Sequence, residues 1–449
     1  MDSAVHPPPE GLVDLERPSH HAVWIFGALF IACLLTGVSF FAYDAKDYWN
    51  SAVSLLDGVE PAGGQLKVRG ALTAAVYTPA AALAKIVGDS SAPFFVLVQN
   101  SALIAWVGAH LVPRLLAVRG TVTAQGRLAV AFVTWVTLAG FAPYPIMDLY
   151  AATLCLVAVS FLGSARWWSL ALAGLAAAAA ANIRPAYVIP IALLLVVVAV
   201  RYRWRAGFVL LGALVALVPQ VLLNWLRYDT LSLSPVMTDF LVGLQADYAS
   251  YIVRYDTYLF SIPPQQFYCS PAMARAAAEN PVTSTGELVM TFLQNMPHSI
   301  VFALQKIAAS LHWPVASPYS TVDVGLNGLF GVGVTIVAVV GVASIVGSIR
   351  RRASATTNLQ AILLSTLAIG TALTLVSSAT ETRFAVCVVM IGIVGVGFRV
   401  DDWFARAVRP SRRAVVITLL LVCVVVLFGY WGLAHPAPTG KITPLVCAG

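Results

Sequence analysis

Long apolar blocks, each of roughly 17 to 25 residues, divide this chain and constrain its fold more than any other feature. A helix of that length crosses the hydrocarbon core of a bilayer, which is about 30 Å thick. With 59% hydrophobic and only 10% charged residues, the chain lacks the polar surface of a soluble domain. The sequence therefore predicts an all-α membrane protein with about eleven transmembrane helices.

The blocks also divide the chain into a tail, a membrane domain and a second tail. Residues 1–22 precede the first block, residues 23–434 form the polytopic domain, and residues 435–449 follow it. The predicted spans are 23–43, 92–112, 128–142, 147–162, 170–183, 186–200, 208–226, 325–349, 361–378, 384–397 and 415–430. An odd number of spans predicts that the two termini face opposite sides of the membrane.

The distribution of charge indicates the orientation, because cytoplasmic loops carry an excess of Lys and Arg. With a cytoplasmic N-terminus, the inward segments hold 16 of the 27 Lys and Arg but only 6 of the 20 Asp and Glu. The net charge of +7 is then mostly a consequence of topology. A nucleic-acid partner would need a soluble basic face, and the sequence offers none.

Two long segments fall on the outer face in this topology, 44–91 and 227–327. Within them, 72–87 and 288–313 are apolar stretches that carry polar residues, and we expect helices lying at the outer interface there. Cys269 and Cys447 also fall on the outer side, where an oxidising compartment would permit a disulfide. The sequence leaves that pairing open.

An acidic cluster follows the first span directly. In a helix at the interface, Asp44, Tyr48 and Ala52 share one face, and Asp47 lies one step round it. In one interpretation, Asp44 only marks the end of the span beside interfacial aromatic residues. In the other, Asp44 is a general base whose pKa is raised toward neutrality by partial desolvation.

This cluster resembles a motif of the GT-C superfamily, the integral membrane glycosyltransferases that use polyprenyl-phosphate sugars. Their first span ends in an Asp-x-x-x-Tyr motif followed by Ala and then Gly, and Asp44, Tyr48, Ala52 and Gly58 match that layout. Looser matches follow along most of the chain. They are Arg69-Gly70-Ala71-Leu72 with Tyr77-Thr78-Pro79, Met147-Asp148, Asn182-Ile183-Arg184-Pro185, Pro219 with Asn224 and Arg227, and Thr380-Glu381-Thr382-Arg383-Phe384.

The resemblance implies a GT-C-like fold and a role for each matched residue. Asp44 would be the catalytic base, and outer cations would hold the lipid phosphate. We rank these cations as Arg383, Arg184, Arg227 and Lys306, with Arg69 in the second juxtamembrane helix also binding substrate. The further substrate-binding candidates are Asp47, Tyr48, Asp148, His298 and Glu381, the last of which would orient Arg383.

The sequence departs from the family in two respects. Ala45 stands where a second acidic residue often follows the first Asp, and neither outer segment contains an Asp-x-Asp motif. We therefore predict no metal and no other cofactor. The lipid-linked sugar would be a co-substrate.

The implied reaction transfers a sugar from a polyprenyl monophosphate to an acceptor hydroxyl with inversion, at the outer face of the plasma membrane. Mannose is slightly favoured, with arabinose and galactose open, and the acceptor is a glycan, glycolipid, protein or secreted metabolite. A composition rich in Ala, Val and Arg and poor in Lys is typical of a high-GC bacterium such as an actinomycete.

Two other classes of protein share the polytopic architecture. A secondary transporter would place ionisable residues near the midplane on broken helices, whereas here they gather at the outer ends of the spans. A scaffold or flippase partner would carry the acidic cluster incidentally and would tolerate its loss.

Overall fold

The structure is a computed structural model of the 449-residue chain. It describes residues 20–59, 65–119, 121–259, 261, 264–321, 325, 327–349, 355–406, 412–438 and 442–449. The tail 1–19, which holds most of the predicted N-terminal tail, lies outside the described residues.

Helices account for most of the described chain. In chain order they are α1 His20–Leu34, α2 Tyr43–Asp57, α3 Gln65–Val68, α4 Ala71–Val76, α5 Thr78–Val87, α6 Ala92–Trp106, α7 Val112–Leu116, α8 Ala124–Leu138, α9 Met147–Leu162, α10 Trp167–Ile183, α11 Val188–Tyr202, α12 Ala206–Tyr228, α13 Thr238–Tyr251, α14 Pro271–Glu279, α15 Thr285–Gln294, α16 His298–Leu311, α17 Asn327–Ile349, α18 Ala355–Ser377, α19 Val386–Arg406, α20 Arg412–Gly432 and α21 Pro444–Cys447. Two strands, β1 Ile252–Thr257 and β2 Gln265–Cys269, form an antiparallel hairpin.

Seven helical segments among the described residues are long and apolar enough to cross a membrane. They are Asp89–Leu116, Ala124–Phe141, Pro185–Tyr228, Asn327–Ile349, Asn358–Ser377, Thr382–Phe404 and Val415–Gly432. Pro185–Tyr228 contains two of the predicted spans. The other three predicted spans are apolar helices of 15, 16 and 17 residues, α1, α9 and α10. The chain is thus a helical multi-pass membrane protein, and eleven spans remain a prediction.

The first predicted span is longer than its helix. We expected a helix over 23–43, but α1 ends at Leu34 and a non-helical stretch leads to α2 at Tyr43. Gly37 has a positive φ of 80°, which L-residues with a side chain rarely adopt and which interrupts the helical path. The acidic cluster therefore lies on a separate helix.

One end of the helical bundle carries the two long polar segments, and we call it the loop face. It includes α2 to α5 from the first segment and α13 to α16 from the second. The predicted single interfacial helix over 288–313 is two helices, α15 and α16, because Pro297 separates them. The stretch 72–87 is likewise divided at Tyr77.

The hairpin β1–β2 is a small non-helical addition to the helical fold at the loop face. Its residues include β-branched and aromatic types, such as Val253, Tyr255 and Phe267, which favour strands. A disulfide joins Cys269 at the end of β2 to Cys447. The backbone amide of Ala437 also donates to the carbonyl of Phe267 over 2.8 Å, so the C-terminal segment is held against the hairpin.

Small residues allow α10 and α12 to pack backbone against backbone. A Cβ atom on Gly174 would lie 1.8 Å from the carbonyl oxygen of Val209, and one on Gly212 would lie 1.8 Å from that of Ala171. Such close approach is a common way for helices to associate in membranes, where burial of apolar surface gives little net driving force. This contact matters to the site because α10 leads directly into Arg184 and α12 contains Gln220.

We predict that Gly212→Val destabilises the protein by about 1 to 3 kcal/mol, because the new side chain overpacks this contact. Gly207→Val on the same helix is the control, since nothing lies within 4 Å of its Cβ position. Thermal unfolding in detergent should show a lower midpoint for Gly212→Val than for Gly207→Val. Equal midpoints would mean that the two helices do not pack this closely.

Candidate active site

Tyr319 fixes the start of the helix that carries Asp44. No side chain of α2 itself caps its first turn. Instead the amide of Ala45 donates to the Tyr319 hydroxyl over 3.2 Å, and that hydroxyl donates to the Ala42 carbonyl over 3.1 Å. Tyr43, with a positive φ of 50°, turns the backbone just before Asp44. Such a backbone costs on the order of 1 kcal/mol and persists only where surrounding contacts impose it.

Two arginines bind the Asp44 carboxylate from opposite sides. Nη2 of Arg69 lies 3.1 Å from Oδ1, and Nη2 of Arg383 lies 2.6 Å from Oδ2. The Asp44 side chain is 30% exposed, whereas that of Arg383 is 3% exposed. Water and small substrates can therefore reach the carboxylate, while the arginine behind it is fixed.

Arg184 forms a second layer beneath this group. Its Nη1 donates to the Tyr48 hydroxyl over 2.8 Å, and its Nε lies 2.9 Å from Oδ1 of Asp148. The Arg184 guanidinium also stacks on the Phe384 ring at 4.5 Å, and that of Arg69 stacks on the Tyr48 ring at 4.2 Å. Tyr48 therefore contacts both cations, and its own side chain is almost fully buried.

The end of α10 and the helix α12 are both fixed to the segment that carries Arg69. A Cβ atom on Gly70 would lie 1.7 Å from the carbonyl oxygen of Asn182, so only glycine permits this approach. The amide of Leu72 donates to Oδ1 of Asn182 over 2.9 Å, and that of Ala71 donates to Oε1 of Gln220 over 2.7 Å. These bonds hold Arg69 and Arg184 in the same region of the loop face.

Glu381 links Arg383 to the hairpin. The Thr257 hydroxyl donates to Oε1 of Glu381, and the other carboxylate oxygen pairs with Nε of Arg383. The amide of Tyr255 donates to the Thr380 carbonyl over 2.9 Å, which attaches β1 to the same turn. Glu381 is in the position expected for a residue that orients Arg383.

The charges of the cluster set the pKa values of its carboxyl groups. Burial raises the pKa of Asp44, but Arg383, Arg69 and Arg184 together lower it more, so it lies well below its ordinary value. The raised pKa that we expected for Asp44 is therefore wrong for the free protein. Burial raises the pKa of Glu381 to about 7, against the opposing effects of Arg383 and Thr257. Burial also raises the pKa of Asp47.

Both arginines on Asp44 retain an unused donor. Nη1 of Arg69 and Nη1 of Arg383 are buried and have no hydrogen-bond acceptor among the described residues. A buried N–H without an acceptor costs about 1 to 3 kcal/mol, more for a charged group. An anion that accepts from both guanidiniums next to Asp44 would remove this cost. The cluster is therefore a candidate anion site with a carboxylate at its edge.

The remaining predicted site residues lie outside this contact network. Asp47 accepts from Nε2 of Gln65 over 3.2 Å on the same helix as Asp44. Arg227 donates to the Gly58 carbonyl over 3.3 Å at the other end of α2, and His298 is exposed at the start of α16. Lys306 is fully buried and donates to the carbonyls of Ala249, Ile252 and Ser378, so its ammonium faces backbone rather than Asp44.

Sequence reasoning missed Tyr319 and Thr257. Tyr319 lies in a Ser-Pro-Tyr-Ser stretch between apolar segments, and Thr257 ends a strand that was not predicted. Neither residue type carries a chemical signal by itself. Only the fold brings them to Asp44 and Glu381.

No group of three or more His, Cys, Asp and Glu that could hold a metal ion occurs in the described part of the chain. No known family model matches the sequence, and no curated protein matches it either. The resemblance to the GT-C superfamily therefore remains a prediction from short motifs, and the function has to be argued from the geometry of the cluster.

We predict that farnesyl phosphate stabilises the protein against heat, whereas farnesol does not. Binding of an anion at 100 times its Kd stabilises the native state by about 2.7 kcal/mol. Arg69→Met should abolish the effect, because it removes one of the two unused donors. Arg275→Met, on an exposed arginine of α14, is the matched control.

Thermal unfolding in detergent with and without each ligand measures this difference. Equal stabilisation by farnesyl phosphate in the Arg69→Met variant and the wild type would mean that the anion binds elsewhere.

Proposed function

We propose that the chain is a glycosyltransferase that moves a sugar from a polyprenyl monophosphate to an acceptor hydroxyl at the outer face of the plasma membrane. One observation carries the proposal: a carboxylate that is 30% exposed lies between two arginines, each of which keeps a buried N–H donor with no acceptor among the described residues. A lipid phosphate supplies the anion for those donors. The carboxylate supplies a base beside it.

The arginines would act on the leaving group. In direct displacement, the acceptor oxygen attacks the anomeric carbon, and the bond from that carbon to the phosphate oxygen breaks. The electron pair leaves with the polyprenyl phosphate, whose negative charge increases as the bond breaks. Arg69 and Arg383 would stabilise that charge in a site already partly removed from water.

Asp44 would take the proton of the acceptor hydroxyl. Its low pKa in the free protein makes it a weak base, because both carboxylate oxygens accept from arginine. A phosphate bound to the same arginines adds a negative charge nearby, and a like charge raises the pKa of a carboxyl group. Donor binding would thereby activate Asp44, and a single displacement would invert the configuration at the anomeric carbon.

The position of the cluster favours chemistry over transport. Transporters bind substrate near the membrane midplane on interrupted helices. Here Asp148 and Arg383 lie at the first turns of their helical segments and Arg184 directly after α10, all at the loop face. An amphiphile whose phosphate stays at the membrane surface would reach such a site without crossing the bilayer.

We predict that Asp44→Asn lowers sugar transfer by about two to four orders of magnitude, the usual contribution of a general base. Asp47→Asn, on the same helix but bonded to Gln65 rather than to the arginines, should lose less than about tenfold. The assay follows transfer from a panel of radiolabelled polyprenyl-phosphate sugars to endogenous membrane acceptors. The donor that reacts also identifies the sugar, which we expect to be mannose.

Full activity of a folded Asp44→Asn variant would contradict the assignment of the base and would favour a scaffold or flippase partner. Absence of transfer from every donor by the wild type would contradict the enzyme itself.

We also predict that kcat/KM decreases as the pH falls below the pKa of Glu381, which is about 7. Glu381, with a pKa of about 7, is ionised only above that pH, and only the ionised form pairs with Arg383 as a salt bridge. Activity should therefore be full above pH 7 and fall about tenfold per pH unit below it. Asp44 adds no limb there, because its lowered pKa keeps it ionised.

Glu381→Gln tests this origin, since glutamine can still accept from the Thr257 hydroxyl but does not titrate. Its activity should be lower and independent of pH between about 5 and 8. An unchanged acid limb in Glu381→Gln would assign the titration to another group.

A further inference from the structure

A cavity of about 320 Å³ adjoins the candidate active site. Tyr319 lines this cavity, and its hydroxyl contacts the backbone on either side of Asp44. The ring also lies 5.7 Å from the Arg383 guanidinium. A molecule in the cavity would therefore end next to the carboxylate and the cation of the site. The proposed function assigns nothing to this cavity.

The described lining of the cavity is uncharged, with four aromatic residues among fourteen, and its polar members, Thr36, Ser317, Thr321 and Asn327, are neutral. No described lining residue is an acid or a base. Tyr144 and Tyr319 form an edge-to-face pair with centroids 5.1 Å apart, and Trp135 and Phe330 form another at 5.8 Å. A phosphate or any other charged group would be poorly solvated there. A neutral chain fits this lining.

The cavity also runs inward along the bundle. Trp135 lies in the last turn of α8 and Gly140 just beyond the end of that helix, and both line the cavity. Exposed apolar side chains lie beside two of its lining residues. Phe132, one turn before Val136, is 63% exposed, and Leu329, next to Phe330, is 70% exposed. An occupant can therefore continue from the cavity into the hydrocarbon of the bilayer.

One buried polar atom of a lining residue has no protein partner in the described part of the chain. Nε1 of Trp135 is buried and has no hydrogen-bond acceptor among the described residues. An indole N–H donates but cannot accept, so it suits an ether, ester or glycosidic oxygen of a ligand. The volume is near the lower limit of small-molecule sites, about 300 to 1,000 Å³, so only part of a long chain would be enclosed.

We propose that this cavity holds the apolar part of the acceptor, so that the acceptor is a neutral membrane amphiphile, such as a glycolipid, rather than a soluble metabolite. Its hydroxyl end would pass Tyr319 and reach Asp44, while the donor phosphate occupies the arginines. This assignment rests on the proposed function. It narrows the range of acceptors that the sequence leaves open.

Photolabelling tests occupancy of the cavity without any transfer reaction. The probe is an alkyl glucoside with a diazirine at the end of its chain, added to the protein in nanodiscs, and labelled peptides are mapped by mass spectrometry. We expect label on residues 128–144, 313–321 and 327–330. Val136→Trp should reduce this label at least tenfold by filling the cavity, and Leu128→Trp, which faces lipid on the same helix, should not.

Asn327→Trp fills the same cavity from an exposed position at the start of α17. It provides the same test if Val136→Trp does not fold. Label spread evenly over the lipid-facing helices, or label unchanged by either cavity variant, would overturn the proposal.

The kinetic experiment separates the acceptor from the donor. With the donor found by the transfer assay and a membrane lipid extract as acceptor, Val136→Trp should raise KM for the extract about tenfold or more. It should leave the KM for the donor and its slow hydrolysis by water unchanged. A raised KM for the donor would show that the cavity holds the donor chain and would overturn the proposal.

Failure of the proposed function has a different signature. The wild type would then neither transfer the sugar nor hydrolyse any donor. That result would also contradict the proposal that the cavity holds an acceptor. The photolabel would still report whether an alkyl chain binds beside Tyr319.

Discussion

The ion pairs of Asp44 with Arg69 and Arg383 are the contacts on which the rest of the loop face depends. Asp44 and Arg383 are 339 residues apart, yet Nη2 of Arg383 lies 2.6 Å from the carboxylate. Removing one partner from a largely buried group of charges leaves the others without compensation, which costs several kcal/mol. Each arginine is in turn held by its own neighbours. The Tyr48 ring stacks on Arg69, and Glu381, which is bonded to Thr257 of the hairpin, pairs with Arg383.

The bilayer explains why the cluster forms where it does. Within the hydrocarbon every backbone group must be bonded inside a helix, so charged side chains collect where helices end. The ends of α10 and α12 and the start of α9 meet the helices of the first polar segment at one face. Glycine at positions 70, 174 and 212 lets these backbones approach closely enough for the long side chains to share one site.

Much of this arrangement could be predicted from the sequence, since hydropathy and charge depend on local composition. The apolar blocks predicted a helical membrane protein, and the acidic cluster after the first block identified Asp44 and Tyr48. The same reasoning could not give the direction in which the pKa of Asp44 is shifted, because that direction depends on three arginines that the fold brings close. It also missed the hairpin at Ile252–Thr257, since short strands leave a weak signal between long helices.

Lys306 shows that the charge of a residue does not predict its contacts. As a cation in a segment predicted to be outer it was a reasonable phosphate ligand, but in the fold its ammonium donates to three backbone carbonyls. Tyr319 shows the opposite case. It is an unremarkable residue in sequence, yet its hydroxyl contacts the backbone on both sides of Asp44, its ring lies 5.7 Å from the Arg383 guanidinium, and it lines the neighbouring cavity.

The most direct test of the central claim is a cryo-electron microscopy structure of the protein in nanodiscs with undecaprenyl phosphate bound. The account predicts phosphate density within hydrogen-bond distance of Nη1 of both Arg69 and Arg383, with Asp44 exposed beside it. Phosphate density at Arg227, at His298 or at no fixed position, with the pairs of Asp44 to both arginines intact, would contradict it.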